Sequence, residues 1–294
     1  MDKIVKNLEN MKAWVSSCLP LPAAFKTNAE AMRYVAEVMN RCLYLLRIGA
    51  ASAPDVETAK TGHTKPKAII AGHMVQLTKL YEGALIHICG PQPELTRIFF
   101  RPILEIAIDT GHLIKSKRQF QHSTISDGYL TELNMLRCLE DKTKAQALTP
   151  IERCINRLIL SRRKKEGMAQ AEVVQEASQD IDRKSSPQFC EGLGYNESLY
   201  LYLLHEETDC VHRDWDDICS NHLTQKGNYY VPDLSIKEPD PRFGCQLTQV
   251  CLETLLTYLD WNKADPDGAL TAIVQKLYQL NTTLDALQEN SLGE

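Results

Sequence analysis

Residues Tyr200–Leu223, YLYLLHEETDCVHRDWDDICSNHL, gather His205, Asp209, His212, Asp216 and His222 into one stretch, with Trp215 among them. At about 100° per residue, groups three or four positions apart share a helix face. On a continuous helix His205, Asp209, His212 and Asp216 therefore fall in one narrow arc. That arc borders the apolar side made by Leu204, Val211, Trp215 and Ile218, as suits the rim of a groove. Imidazole and carboxylate at such steps can bind a divalent metal. They can also set up a proton relay in which an aspartate holds the histidine tautomer.

A second polar stripe lies earlier. Arg97, Arg101, Glu105, Asp109 and His112 fit one arc roughly a third of a turn wide, and Phe99, Phe100, Ile103, Leu104, Ile106, Ala107 and Leu113 cover most of the rest. This pattern predicts a buried helix whose polar arc faces a narrow solvent strip or an internal site. Arg101 precedes Glu105 by four residues, the weaker order for helix stabilisation, worth a few tenths of a kcal/mol. A buried charge left unpaired costs several kcal/mol, so an interior arc needs partners from another helix. His212 is the expected one, which makes Arg101, Glu105, His212 and Asp216 the candidate catalytic set.

Two D-x-x-H steps, Asp109–His112 and Asp209–His212, have the length of the Glu-x-x-His step in helical di-metal proteins. Asp109, His112, His205 and Asp209 are thus the candidate ligands for a divalent metal. Asp stands where Glu would be, and no other helix offers a clear ligand. The commoner meaning of such a pattern is a hydrogen-bonded polar seam between two helices.

The elements that must position these groups read as helices. The 294 residues have ordinary globular composition, 44% hydrophobic and 24% charged, and a formal charge of −5 that excludes a uniformly basic nucleic-acid binder. Ten cysteines form no C-x-x-C pair, and Cys42, Cys89, Cys154 and Cys210 sit among apolar residues at helical spacing. They read as buried free thiols of a reducing cytoplasm. The opening MDKIVKNLENMKAW is too polar for a signal peptide, and no apolar run approaches the ~20 residues that span a bilayer.

Apolar periodicity predicts a first helix through Ile4–Val15, ended by Pro20 and Pro22, and a second from Thr27 or Asn28 through Leu46 with Gly49 as its stop. Residues 50–65 read as a connection. A third helix runs from about Pro66 to His87, with His73 and His87 as packed or surface groups, and a fourth covers Glu94–Lys115 behind Pro93. Pro102 inside it should kink or divide it. Helices through Leu130–Leu139 and from Pro150 follow, and the polar, basic region 141–186 reads as an exposed arm. Residues 224–241 read as a long loop over a site, with Arg242–Trp261 and Pro266–Leu287 as closing helices. No segment has strand period. The expectation is an all-α, mostly antiparallel multi-helix bundle. Its parts are an N-terminal helical pair (1–49), a core bundle (66–261) carrying the arm, and a C-terminal helix (262–294) packed on it.

Arg101-Pro102-Ile103-Leu104-Glu105 (R-P-x-x-E), followed much later by Val211–Ile218 and His222-Leu223, resembles a bacterial helical family, domain-of-unknown-function family 5677, over roughly residues 66–260. The resemblance implies an all-helical fold, a pairing of the R-P-x-x-E helix with the H-x-x-W segment, and no established activity. Arg213 departs from the small residue expected after the His. Some helical families of this general look are ribonuclease-like domains of toxin and defence systems. Their spaced Arg and His signature is missing, because Arg118 to His122 is too short and Arg213 to His222 too long.

Phosphate-loop, dinucleotide, zincin and nucleophile-elbow motifs are absent. Arg157, Arg162, Arg163 and Lys164 could touch the phosphates of RNA, although a solvated helix end is the usual meaning of such a run. Two functions are left in play. One is a binding or regulatory module held by an Arg–Glu–His polar site, with no cofactor. The other is a hydrolase, ribonuclease-like or a metal-dependent phosphoesterase. In it His212 is general base or metal ligand, Asp216 orients it, and Arg101 stabilises developing negative charge.

Overall fold

Thr27 starts the first long helix by a simple local device. Its backbone is extended and its hydroxyl accepts from the Glu30 N–H at 3.1 Å, which satisfies a donor with no intrahelical partner. The computed structural model describes residues 13–14, 17, 21–90, 93–115, 223–227, 229–235 and 240–292. Within them the architecture is mostly helical: α1 (Asn28–Ala51), α2 (Val56–Thr61), α3 (Lys65–Ile88), α4 (Arg97–Lys115), α5 (Pro241–Asn262) and α6 (Ala269–Leu292). The all-α bundle read from the sequence is thereby shown. A single small hairpin, β1 (Leu223–Lys226) paired antiparallel with β2 (Tyr229–Pro232), is the exception.

Helix α1 is the hub. It packs against α3, α5 and α6, while α5 also meets α3 and α6. The buried stripe Val35, Met39, Cys42, Leu45 and Leu46 of α1 faces Ile70, Met74, Leu77 and Tyr81 of α3, Leu247, Leu252 and Leu255 of α5, and Val274, Leu277 and Leu284 of α6. Each such side chain contributes about 1.5–3 kcal/mol on burial, so the three- and four-residue apolar spacing is the principal organiser. Helix α4 joins through its own apolar side: Phe100 packs on Phe243 of α5, with ring centroids 4.9 Å apart, and Phe99 on His87 of α3 at 5.4 Å.

Four local expectations are corrected. Gly49 is not a stop, because α1 continues to Ala51 and ends at Ser52, whose N–H and hydroxyl both return to the Gly49 carbonyl. Gly49 instead lets α5 approach, since a Cβ there would collide with Leu255 Cδ1. The connection at 50–65 contains α2, capped by Asp55, which accepts from the Thr58 N–H at 2.6 Å. Pro102 does not divide α4, which runs through it unbroken from Arg97 to Lys115. Residues 93–96 form a separate 3-10 turn before it. Lastly, Leu223–Lys226 and Tyr229–Pro232 form a hairpin, with Gly227 in its turn at φ 63°.

Cysteines follow burial. Cys42, Cys245 and Cys251 are buried free thiols, whereas Cys89, at the C-terminal end of α3, is exposed, contrary to its expected burial. Desolvation pushes the Cys42 and Cys245 thiols up to about 12, so neither forms a thiolate at neutral pH.

The deepest polar feature links two helices. Thr248 of α5 commits its proton to the Gly244 carbonyl at 2.7 Å, so the Tyr81 hydroxyl of α3, 2.6 Å away, must donate to Thr248 Oγ1. The chain thus runs Tyr81, Thr248, Gly244. A second seam joins α6 to α5: Asn281 Nδ2 donates to the Cys245 carbonyl at 2.9 Å, and Gln288 Nε2 reaches Cys245 Sγ at 3.4 Å.

Replacing Tyr81 with Phe leaves Thr248 Oγ1 without its incoming donor. The expected loss is about 1–2 kcal/mol in chemical denaturation, with an unchanged slope. Asp285 of α6 provides a pH-dependent counterpart. Partial burial, and the nearby Glu289 and Asp240, raise its pKa above the ordinary carboxylate value. The folded state then holds that proton more tightly than the unfolded chain, so this contribution is present at low pH and is lost as pH rises through the raised value. Asp285→Asn should therefore melt higher than wild type at pH 7. The difference should shrink below about pH 4, as read by thermal melts across pH.

Candidate functional site

The polar arc of α4 is held outward by the helix's apolar remainder. Phe100, Ile103, Leu104, Ile106, Ala107, Ile108 and Leu113 are all buried. With most of the girth committed to the core, 3.6-residue periodicity leaves Arg97, Arg101, Glu105, Asp109 and His112 on one arc, which also holds the buried Ile108. Arg101 Nε donates to Glu105 Oε1 at 2.9 Å, with the two side chains 37% and 48% exposed. Asp109 is exposed, and Arg97 and His112 are half-buried. Ile98, also 42% exposed, lies beside the arc. The Arg101–Glu105 pair is thus solvent-accessible, while Ile108 within the same arc is buried.

The charges on this strip run against the helix's own preferences. Arg97 occupies the first position of α4 and no acidic residue lies in the first turn, although the positive end of the helix dipole favours anions there. Arg101 and Glu105 follow the weaker order for a pair four residues apart. Neither placement is accounted for by the stability of α4 alone.

On the inner side, Thr110 is fully buried and its hydroxyl lies 3.4 Å from His73 Nδ1 of α3. Burial lowers the His73 pKa, so the ring is neutral at pH 7 and serves as a packing and hydrogen-bonding group. The sequence reading placed His73 among packed or surface groups without identifying Thr110 as its partner. Helical periodicity places each residue on a face of its own helix but leaves pairs across helices undetermined.

Of the candidate catalytic set, Arg101 and Glu105 are brought together. Of the candidate metal ligands, Asp109 and His112 occupy the same outward arc. His205, Asp209, His212 and Asp216 lie outside the described residues, as do Arg157, Arg162, Arg163 and Lys164. Among the described residues no three His, Cys, Asp or Glu side chains converge on a point where a metal ion could be held. None of the described helices is long and apolar enough to cross a membrane. The hairpin, invisible to the search for strand period, carries exposed Tyr229 (78%) and Tyr230. The two-residue Gly-Asn step before the tyrosine pair was the signal that could have revealed it.

Comparison with known proteins found no matching family model, no matching curated protein and no matching solved structure.

An exposed ion pair four residues apart is worth at most a few tenths of a kcal/mol. Glu105→Gln should accordingly change unfolding free energy by less than about 0.5 kcal/mol. A loss several times larger in urea titration would mean that the pair is structural after all.

Proposed function

We propose that this protein is a binding or regulatory helical-bundle module that engages its partner through the outward arc of α4. One observation carries this reading: the Arg101–Glu105 pair stays solvent-accessible at 37% and 48% on a helix most of whose remaining girth is committed to the core. Charges that add little to folding and oppose the helix dipole suit recognition of a charged surface. Exchange of an exposed intrahelical pair for an intermolecular one costs little, because solvent already screens the first. The R-P-x-x-E part of the resemblance noted above falls on this same arc, which adds weight to the choice of surface.

A hydrolase would use the same arginine differently, as an electrophilic group beside His212 and Asp216. The two readings are separable in one series. A photo-crosslinking residue at Ile98, in cells expressing the full chain, should give a discrete adduct that disappears in Arg101→Ala/Glu105→Ala while the protein remains folded. Absence of any adduct, together with RNA cleavage by the purified protein that vanishes in His212→Ala, would replace the binding reading with the hydrolytic one.

A further inference from the structure

We propose that Asp285 is a proton-operated clasp in the seam between α5 and α6: its protonated carboxyl donates to Gln288 Oε1, and its ionisation loosens residues 286–292. Two buried oxygens that lack a donor point to it. Asn281 and Gln288 are each 1% exposed. Both direct their amide N–H groups to Cys245 of α5, Asn281 to its carbonyl at 2.9 Å and Gln288 to its thiol at 3.4 Å. Their oxygens, Asn281 Oδ1 and Gln288 Oε1, are buried without a hydrogen-bond partner. Such oxygens cost folding free energy, so the seam is short of a donor. Asp285 stands four residues after Asn281 and three before Gln288, spacings at which side chains meet on one helix face. Helical side chains lean toward the N-terminal end, so the long arm of Gln288 reaches back toward Asp285. Both lie beside Cys245, on which Asp285 acts electrostatically. A carboxylate can only accept, whereas a carboxylic acid has one O–H to give. Ser291, the other polar group at such a step from Gln288, accepts from the Phe25 N–H at 3.1 Å and makes no bond to the Gln288 oxygen.

The surroundings favour the proton. Glu289 acts on Asp285 from its own helix, and Arg242 and Asp240 act from the start of α5. Arg242 is engaged by Asp240, through Nε at 3.1 Å and a terminal nitrogen at 2.9 Å. Cys245, the remaining titratable group of α5 here, is a neutral thiol. At the entry to α1, the other helix packed on α6, stand Lys26 and Glu30, joined by a bond from the Lys26 N–H to the Glu30 carboxylate. Neither of these charges acts on Asp285. Partial burial first, and then Glu289 and Asp240, hold the Asp285 carboxyl above the ordinary carboxylate range. The folded state therefore keeps this proton more tightly than the unfolded chain. The clasp is complete below the ordinary range and is lost as pH rises through the raised value.

What the clasp holds reaches beyond α5. Ser291, two turns along α6 from Asn281 and Gln288's own neighbour, fastens the Phe25 backbone at the entry to α1. Loosening residues 286–292 frees that joint too, so one proton bears on the contacts of α6 with both α5 and α1.

The test is an NMR titration of the Asp285 carboxyl in the full chain. Wild type should titrate above the ordinary carboxylate range. Gln288→Met removes the acceptor and keeps the bulk, and should lower the midpoint by about half a pH unit or more. Burial alone gives the opposite sign, because a thioether beside the carboxyl adds to its desolvation. An unchanged or higher midpoint in Gln288→Met overturns the proposal. Amide exchange over residues 286–292 is a second measurement that leaves Gln288 in place. Asp285→Asn carries a permanent N–H donor, so at pH 7 this segment should exchange about threefold or more slowly than in wild type. The difference should vanish as wild-type Asp285 takes up its proton. Asp285→Ala relieves the same charge crowding without supplying a donor, and should exchange no more slowly than wild type. Equal exchange in wild type and Asp285→Asn at pH 7, or equal slowing in Asp285→Asn and Asp285→Ala, overturns the proposal even where Gln288→Met does not fold.

Discussion

Two helices distant in sequence, α3 and α5, are tied together by one line of hydrogen bonds inside an apolar core. Tyr81, Thr248 and the Gly244 carbonyl form it, and each donor has only one acceptor consistent with the other. Hydrophobic burial is non-directional and would accept several rotations of α3 and α5 about their axes. A buried hydroxyl without its partner costs about 1–3 kcal/mol, so only one rotation satisfies all of them. That constraint sets which face of each helix looks inward, and everything at the surface follows from it.

Helix α4 shows how this inner order reaches the surface. It is attached by apolar side chains, Phe100 on Phe243 and Phe99 on His87, and by Thr110 beside a neutral His73. Once these are seated, a helix has no freedom left in the placement of its remaining side. Arg97, Arg101, Glu105 and Asp109 are presented as a strip because the apolar residues between them are spent on the core. The same logic separates the cysteines by role: Cys42 and Cys245 are desolvated and inert, while Cys89 lies at a helix end outside the packed seams.

The order of charges on that strip is poorly explained by the stability of α4 alone, which is the ground of the proposed binding role. A few tenths of a kcal/mol from an exposed pair is small beside any one buried leucine. Its sequence order is the less favourable one, and its basic end sits at the wrong pole of the helix dipole.

Much of this architecture was legible from residue order. Apolar periodicity revealed the long helices, because a helix repeats every 3.6 residues whatever it packs against. The R-P-x-x-E arc was visible for the same reason. Periodicity could not say whether that arc looked inward or outward, since a helix apolar over most of its girth satisfies both. Tertiary packing decided it. The outcome depended on where Phe243, His87 and His73 stood, each from a helix tens or hundreds of residues away. Packing likewise turned Gly49 from a helix stop into a point of close approach, because the decisive neighbour, Leu255, is local only in three dimensions. The hairpin at Leu223–Pro232 escaped because four-residue strands, exposed almost throughout, have no buried face to impose a period of two. What residue order determines here is the set of helices and their faces. What only the fold determines is which faces meet, because the directional bonds that choose among packings join residues with no fixed spacing.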